Sequence, residues 1–413
     1  GLAAQARRSA ARWIVSQQRP DGTWANWNDG PPDLSTTVEA YVALKMAGTP
    51  PEAPEMQRAK GFILSRGGVE RVRVFTKIWL AMLGEWDWRG VPVVPAELAL
   101  LPRWFPVNIY SFACWARQTV VPMTILMDAR PVARLPEAAR IDELFPRGRE
   151  HADRSIPLPK DSWRARGFLW LDRLLRVHER LPWKPLRRRA LARAERWILD
   201  RQEADGAWGG IQPPWVYSLI ALKLRGHSLD GDGPLARGFA GFYGDQGFAI
   251  QEDGTFRLQS CLSPVWDSGL ILLALQDAGV PPDDPAIRQV VSWLLDEQVL
   301  TGGDWQIRCH APPGGWAFEF ANDIYPDTDD TAVVLMGLLE ADTDETHRGQ
   351  EALSRGEAWL IGMQSRNGGW GAFDRDNTQT WTRQIPFCDF GEVIDPPSVD
   401  VTGHVLECLG RLG

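Results

Sequence analysis

The feature that most constrains this chain is a seven-residue unit that recurs along it. Gln18-Arg-Pro-Asp-Gly-Thr-Trp24, Gln202-Glu-Ala-Asp-Gly-Ala-Trp208 and Gln364-Ser-Arg-Asn-Gly-Gly-Trp370 share the pattern Gln-x-x-(Asp/Asn)-Gly-x-Trp, and Gln298–Trp305 reads as a looser copy. Each follows a helical stretch with Trp on its final turns: Trp13, Trp197, Trp293 and Trp359. Close self-similarity of this kind marks a helical repeat architecture. Asp-Gly or Asn-Gly supplies the turn, and the Gln amide can bond backbone groups left free at a helix end. The repeat tryptophans are therefore expected to be structural staples rather than substrate contacts.

The rest of the chain fits an all-α reading. Ala3–Gln17, Leu34–Ala47, Pro54–Ser65, Val72–Gly84 and Val107–Met127 carry apolar residues at helical spacing, and Pro and Gly punctuate nearly every junction. Hairpin signals are scarce. Pro131–Pro159 is rich in Pro, Arg and Glu and reads as an irregular surface connection. In Trp163–Val177, Phe168, Leu171, Leu174 and Leu175 alternate with Arg164, Arg166, Arg173 and Arg176. Such a basic amphipathic helix suits a membrane surface, and its pattern alone equally allows an ordinary packed helix.

Charge and cysteine content exclude some classes. The 413 residues, enough for two domains, carry 45 Lys and Arg against 53 Asp and Glu, a net charge of −8. That argues against a general nucleic-acid binder. The 5 cysteines form no CxxC pair, so neither a disulfide framework nor a zinc site is expected, and a reducing compartment is. No apolar run reaches the roughly 18 residues of a membrane span, and no signal peptide is visible. The chain opens on Gly1, directly into helical sequence, so the true N-terminus is expected upstream.

The chemistry concentrates at Asp327-Thr-Asp-Asp-Thr331-Ala332, with three carboxyls in four residues and an apolar helical run, Val333–Leu339, immediately after. Asp and Thr are good helix caps, so a capped helix start is one reading. The flanks favour another. Trp316, Phe318, Phe320 and Tyr325 crowd in from upstream, where carboxylates needing solvation rarely sit. Crowded carboxyls cannot all ionise cheaply, so one tends to keep its proton, and a protonated Asp is a strong acid when neighbours stabilise its conjugate base. A metal-binding Asp motif would carry further acids a turn on, where this chain has Val333, Val334 and Leu335.

The repeats, the Asp327 motif, Gly209-Gly-Ile-Gln-Pro-Pro-Trp215, Ser263-Pro-Val-Trp-Asp267 and Pro386-Phe-Cys-Asp-Phe-Gly-Glu392 together resemble bacterial squalene–hopene cyclases over essentially the whole chain. The resemblance implies two α/α barrels enclosing an apolar cavity: residues 1–260 form most of the first, with the membrane-contacting helix near 163–177, and 261–413 begin the catalytic one. It implies a monotopic enzyme on the cytoplasmic membrane face that binds squalene and a lipid surface, uses no metal or other cofactor, and admits a homodimer. By the same resemblance Asp329 protonates the terminal alkene, Asp327 and Asp330 flank it, and His404, in Asp400-Val-Thr-Gly-His404, hydrogen-bonds the acid. Trp266, Phe318, Phe373, Trp115, Phe75 and Phe390 match positions that stabilise cations through their ring faces. Gln212 and Pro213, with Glu39, Arg73 and Trp79 around them, match the water site that quenches the final cation. Phe112, Val120, Phe387 and Cys388 match the substrate-channel constriction.

Two departures temper the match. Phe373 stands where the best-known members have Tyr, which keeps the ring face and loses the hydroxyl. Family members also begin earlier and continue beyond the segment matching Val401–Gly413, so the chain reads as part of a cyclase, inactive by itself. The competing readings are a class II cyclase for another polyprene and a non-catalytic lipid-binding relative. A protein prenyltransferase would need a zinc cluster that the Cys, His and Asp positions do not suggest.

Overall fold

The computed structural model describes residues 4–156, 163–244, 247–341, 347–389 and 391–413. Among these the chain is predominantly helical, as an all-α reading requires. The helices before residue 245 are α1 (Ala4–Ser16), α2 (Leu34–Met46), α3 (Pro54–Ser65), α4 (Val74–Met82), α5 (Cys114–Ala129), α6 (Trp163–Arg180), α7 (Arg187–Leu199), α8 (Gln212–Leu224) and α9 (Pro234–Tyr243). Those after it are α10 (Pro264–Asp277), α11 (Pro285–Asp296), α12 (Thr328–Glu340), α13 (His347–Met363) and α14 (Val399–Leu412). A hairpin of β1 (Ala249–Glu252) and β2 (Thr255–Leu258) lies between the two groups. A short antiparallel pair, β3 (Trp316–Ala317) with β4 (Pro326–Asp327), sets Trp316 opposite Asp327.

Sequence pattern decides which helices lie inside. From Cys114 to Met127 α5 is buried at almost every position, and α12 is buried likewise from Asp330 to Leu338. By contrast α7, α11 and α14 bury a single stripe. A helix apolar all round needs partners on every side; an amphipathic one forms the outer layer. Accordingly α5 packs against α7 and α8, and α12 against α10, α13 and α14. Two apolar cores result. One gathers residues from Trp24 to Leu262, the other from Val265 to Cys408. Phe387, Cys388 and Val393 are late in sequence yet pack in the first core, so their segment straps the two together.

The repeat units make one set of bonds four times. The Trp indole N–H donates to a carbonyl on the preceding helix: Trp24 to Ile14 at 2.7 Å, Trp208 to Ile198 at 2.9 Å, Trp316 to Leu294 at 2.6 Å and Trp370 to Leu360 at 2.7 Å. The Gln amide donates to the Gly carbonyl of the turn: Gln18 to Gly22, Gln202 to Gly206, Gln298 to Gly314 and Gln364 to Gly368. In three units it also reaches a carbonyl of a later outer helix, at Glu55, Pro234 and Ala352. An arginine three residues beyond that carbonyl (Arg58, Arg237 or Arg355) then donates to the Gln side-chain oxygen. The turn glycines Gly22, Gly206 and Gly368 sit at φ 83, 93 and 90°, a region that favours glycine.

This pattern corrects the fourth copy. The partner of Gln298 is Gly314-Gly315-Trp316, not Trp305, so its turn is twelve residues longer than the others. Trp305 instead bonds the Ala311 carbonyl within that longer turn. The turn also supplies Asp304, which pairs with Arg201 and accepts from the Tyr325 hydroxyl at 2.5 Å. Residues 131–156 are irregular, as expected, but not merely superficial: Ile141, Leu144 and Phe145 are buried in the first core. The predicted Val107–Met127 helix begins only at Cys114, after a separate turn at Ile109–Ser111 that the Asn108 side chain caps.

Candidate active site

The capped-helix and acid readings of the Asp327 motif describe one geometry. Asp327 is the N-cap of α12 and accepts from the backbone N–H of Asp329 at 2.7 Å and of Asp330 at 3.3 Å. The Thr331 hydroxyl donates to the Asp327 carbonyl and accepts from the Trp316 N–H, which fastens the motif to β3. Thr328 N–H donates to Ala372, so the segment leading to Phe373 is held against the same helix start. Asp327 and Asp330 are 5% and 1% exposed, whereas Asp329 keeps accessible surface. Burial, followed by the charge of Asp329, pushes the Asp327 carboxyl up to about 8 against the opposing pull of two N–H donors. Burial and its two acidic neighbours raise Asp330 well above the usual range, and its Oδ1 has no hydrogen-bond partner among the described residues.

His404, brought up by α14, completes the group. Its Nδ1 lies 2.7 Å from Asp329 Oδ1. The Trp266 ring sits 6.4 Å from the imidazole. Asp400, on the same helix, is exposed.

The predicted aromatic positions separate into two groups. Phe373 meets Trp115 edge-on at 5.9 Å, and the Trp115 indole donates to the Glu392 carbonyl. Phe318 directly follows β3 and is half-buried. Phe75 instead lies with Phe387 at 6.3 Å, and Phe387 meets Phe112 edge-on at 6.4 Å. The predicted constriction residues Phe112, Val120, Phe387 and Cys388 are all buried, and Phe75 packs beside them. Phe390 lies outside the described residues.

Of the predicted quenching residues, Glu39, Arg73 and Trp79 share one neighbourhood. Thr76 donates its hydroxyl to Glu39; burial raises the Glu39 carboxyl, and Thr76 and Arg73 oppose the rise. Trp79 lies 5.7 Å from the Tyr217 ring, and Phe75 meets the same ring at 5.9 Å. Gln212 and Pro213 open α8, the helix that carries Tyr217 about a turn and a half further on. No described hydrogen bond joins the Gln212 side chain to Glu39.

Three features carry no sequence signal that pointed to them. Tyr217 is buried, and its hydroxyl has no partner among the described residues. Asp395 accepts from the N–H groups of Ala372, Phe373 and Asp374 at 2.9, 2.6 and 2.7 Å and so fixes the Phe373 backbone; burial lifts it to about 7. Glu203 and Glu319 are neighbouring buried carboxyls that influence each other's protonation, and Glu203 Oε2 and both Glu319 oxygens have no hydrogen-bond partner among the described residues. The other Glu203 oxygen accepts from Gly209 N–H at 2.6 Å. A side chain at Gly210, whose φ is 56°, would collide with Glu319. Desolvation leads in raising both carboxyls, Glu319 to about 7 and Glu203 well above the usual carboxylate range. The Gln-x-x-Asp-Gly pattern flagged the turn around Glu203 but not its distant partner.

Glu97, His178 and Glu179 converge in a way that suits a cation. Arg187 occupies both glutamates and Lys184 adds a second charge at Glu179, so this cluster is an ion-pair knot.

The fold thus sets a triple-carboxyl motif, paired with a histidine, at the start of an inner helix of a helical-repeat protein. Residues 2–246 match the family profile described as squalene-hopene cyclase N-terminal domain, and residues 262–413 match its C-terminal domain. The chain is 47% identical over 408 residues to squalene–hopene cyclase of Alicyclobacillus acidocaldarius, covering 97% of this chain and 63% of that protein. It is 40% identical to dammaradiene synthase of Dryopteris crassirhizoma, covering 97% and 58%, and 38% identical to squalene–hopene cyclase of Zymomonas mobilis, covering 97% and 62%. The chain belongs to the squalene–hopene cyclase family, and it spans less than two thirds of the length of each of these relatives.

Proposed function

We propose that this chain carries the acid and much of the cavity wall of a class II triterpene cyclase that protonates a terminal alkene of squalene and guides cationic ring closure. The observation that carries the reading is the 2.7 Å contact between His404 Nδ1 and Asp329 Oδ1, at the one carboxyl of the three that keeps accessible surface. With Oδ1 taken by the imidazole, Oδ2 is the oxygen free to hold and deliver a proton. A protonated imidazole on Oδ1 stabilises the carboxylate left behind, which strengthens the acid. Asp327, raised to about 8, keeps its proton near neutrality and caps the helix start, and burial with its acidic neighbours favours the neutral form of Asp330.

Cationic centres then pass Trp266, Phe318, Phe373, Trp115 and Phe75, whose faces attract positive charge without supplying a nucleophile. Phe390 is assigned with them by family resemblance. Gln212, Pro213, Glu39, Arg73 and Trp79 order the water that ends the reaction, and Phe112, Val120, Phe387 and Cys388 admit substrate. Residues 1–260 and 261–413 act as two barrel units, a division supported by the two apolar cores. Helix α6 rests on the membrane: Trp163 is 71% and Trp170 62% exposed, while no described helix is long and apolar enough to cross a bilayer.

Replacing Asp329 by Asn in the full-length protein should lower squalene conversion by on the order of 10⁴-fold, the upper range for loss of a general acid. Conversion at the unaltered rate would overturn the reading. Product identity is a separate matter: a 40% identical relative is a dammaradiene synthase, and Phe373 lacks a hydroxyl. Polycyclic products other than hopene would favour a related polyprene cyclase while leaving the acid assignment intact.

A further inference from the structure

Helix α6 carries two columns of side chains. Trp163, Trp170 and Val177 recur every seven residues, all exposed, with Leu174 beside them. Arg166, Arg173 and Arg180 recur at the same interval, displaced around the helix by roughly 60° at about 100° per residue. An apolar stripe with cations along one flank is the arrangement of a helix lying in a lipid interface. The local charge is extreme for this protein. Residues 163–196 contain ten Arg and one Lys against three acids, a surplus of +8 in a chain whose net charge is −8.

That flank borders a cavity of about 410 Å³ between α6, the end of α5 and residues 88–94. Its deeper arginines are already engaged. Arg176 pairs with Asp172 and donates to the carbonyls of Arg89 and Val91, and Arg187 is held by Glu97, Asp128 and Glu179. Arg173 and Arg180 line the same cavity but make no ion pair or hydrogen bond among the described residues. Arg130 and Arg154 bond the Met127 and Arg149 carbonyls at 3.3 and 3.4 Å and approach their carboxylates only at 4.0 and 3.8 Å, which leaves part of each guanidinium free. The cavity therefore holds surplus guanidinium donors, in the fork geometry that suits phosphate oxygens, beside side chains suited to acyl chains.

We propose that this cavity seats the phosphate of an anionic phospholipid, with Arg173 and Arg180 as its principal donors. The proposal rests on α6 being the membrane contact. Each basic residue near an anionic surface strengthens binding by roughly fivefold. Flotation of the full-length protein with phosphatidylcholine vesicles, and with vesicles that include phosphatidylglycerol, tests it. Phosphatidylglycerol should tighten binding by roughly tenfold or more. Arg173→Gln with Arg180→Gln should remove that gain and leave phosphatidylcholine binding unchanged. Arg188→Gln with Arg189→Gln, the same charge change on α7 outside the cavity, should retain most of the gain. Equal loss in both double variants would reduce the effect to diffuse charge and overturn the site, as would equal binding of both vesicle types. Inorganic phosphate that displaces the vesicles more than chloride of equal ionic strength would show that free phosphate, not a lipid, is the occupant. Wild-type protein that floats with neither vesicle would instead remove the membrane reading of α6 itself.

Discussion

Asp327, Asp329 and Asp330 at the start of α12, and Glu203 with Glu319 beneath the Gly209-Gly210 turn, are both buried groups of crowded carboxyls. Desolvation leads in raising Asp327 and Asp330 in the first and Glu203 and Glu319 in the second, and neighbouring acidic charges add to the rise. They differ in access and in partner. The aspartate group has one member with accessible surface and a histidine on one of its oxygens. The glutamate pair is shut: Glu319 is 1% and Glu203 8% exposed, and no cation among the described residues neutralises either. Under the proposed function the first arrangement gives up a proton and stabilises the charge that remains. The second has no described base to receive a proton, and burial favours its neutral form where the turn after α7 meets the segment after β3. Burial alone, then, makes a carboxyl reluctant to ionise; access and a base make it an acid.

The sharpest way to break this contrast is to neutralise one member of each site. Asp329→Asn is expected to reduce squalene conversion by on the order of 10⁴-fold. Glu319→Gln should leave conversion within about tenfold, because an amide can still bond Glu203, and its effect should appear in stability instead. Comparable catalytic losses from both variants would erase the distinction.

That stability effect has a definite sign. Glu319 is raised in the folded protein, so its contribution is fully present below the ordinary glutamate range near 4.5 and is lost as pH rises to about 7. The cost across that window is of order 3 kcal/mol, at about 1.4 kcal/mol per pH unit for one proton. Asp327 and Asp395, raised to about 8 and about 7, act in the same direction. Chemical denaturation at pH 5 and pH 8 should show a smaller fall for Glu319→Gln than for the wild type. An unchanged fall would mean that the pair does not hold its proton.

His404 tests the other half of the contrast. Removing the imidazole with His404→Leu leaves Asp329 protonatable but without its charge partner. Conversion should drop by roughly 10²-fold, less than for loss of the acid itself. A loss equal to that of Asp329→Asn would make His404 the proton donor in its own right.

How much of this the sequence disclosed depends on the distance over which each bond acts. The repeat turns are local, and their Gln and Trp roles could be read from residues a few positions apart. The fourth unit reads as Gln298–Trp305 in the sequence, whereas a turn twelve residues longer than the others sets Gln298 against Gly314 and Trp316. The stripe on α6 was visible because helical periodicity alone displays it. At the acid, the residue types and aromatic flanks suggested the chemistry, but the Asp329–His404 contact spans 75 residues. Family resemblance, not spacing, named that partner. Glu203 and Glu319 have no such guide: Glu203 occupies a variable position of the repeat, and Glu319 sits between Phe318 and Phe320 with no motif of its own. Their pairing exists only because the Gly209-Gly210 turn brings two distant segments together, with no room for a side chain at Gly210.

The smallest expected effect separates the two members of that pair. Glu203 accepts a bond from Gly209 N–H at 2.6 Å, whereas neither Glu319 oxygen has a hydrogen-bond partner among the described residues. In Glu203→Gln the amide oxygen can keep the Gly209 bond while the NH₂ group donates to Glu319, so a fixed donor faces that carboxyl. The exchange should alter stability at pH 5 by only about 1 kcal/mol, the net scale of one hydrogen bond. It should also flatten the decline towards pH 8, because a Glu319 carboxylate now meets a donor rather than a second carboxyl. Glu203→Ala should cost more, since it strands the Gly209 N–H. If Gln and Ala at residue 203 gave the same denaturation midpoint at pH 5, the Gly209 bond would contribute nothing and the carboxyl pair would be a neighbour contact alone.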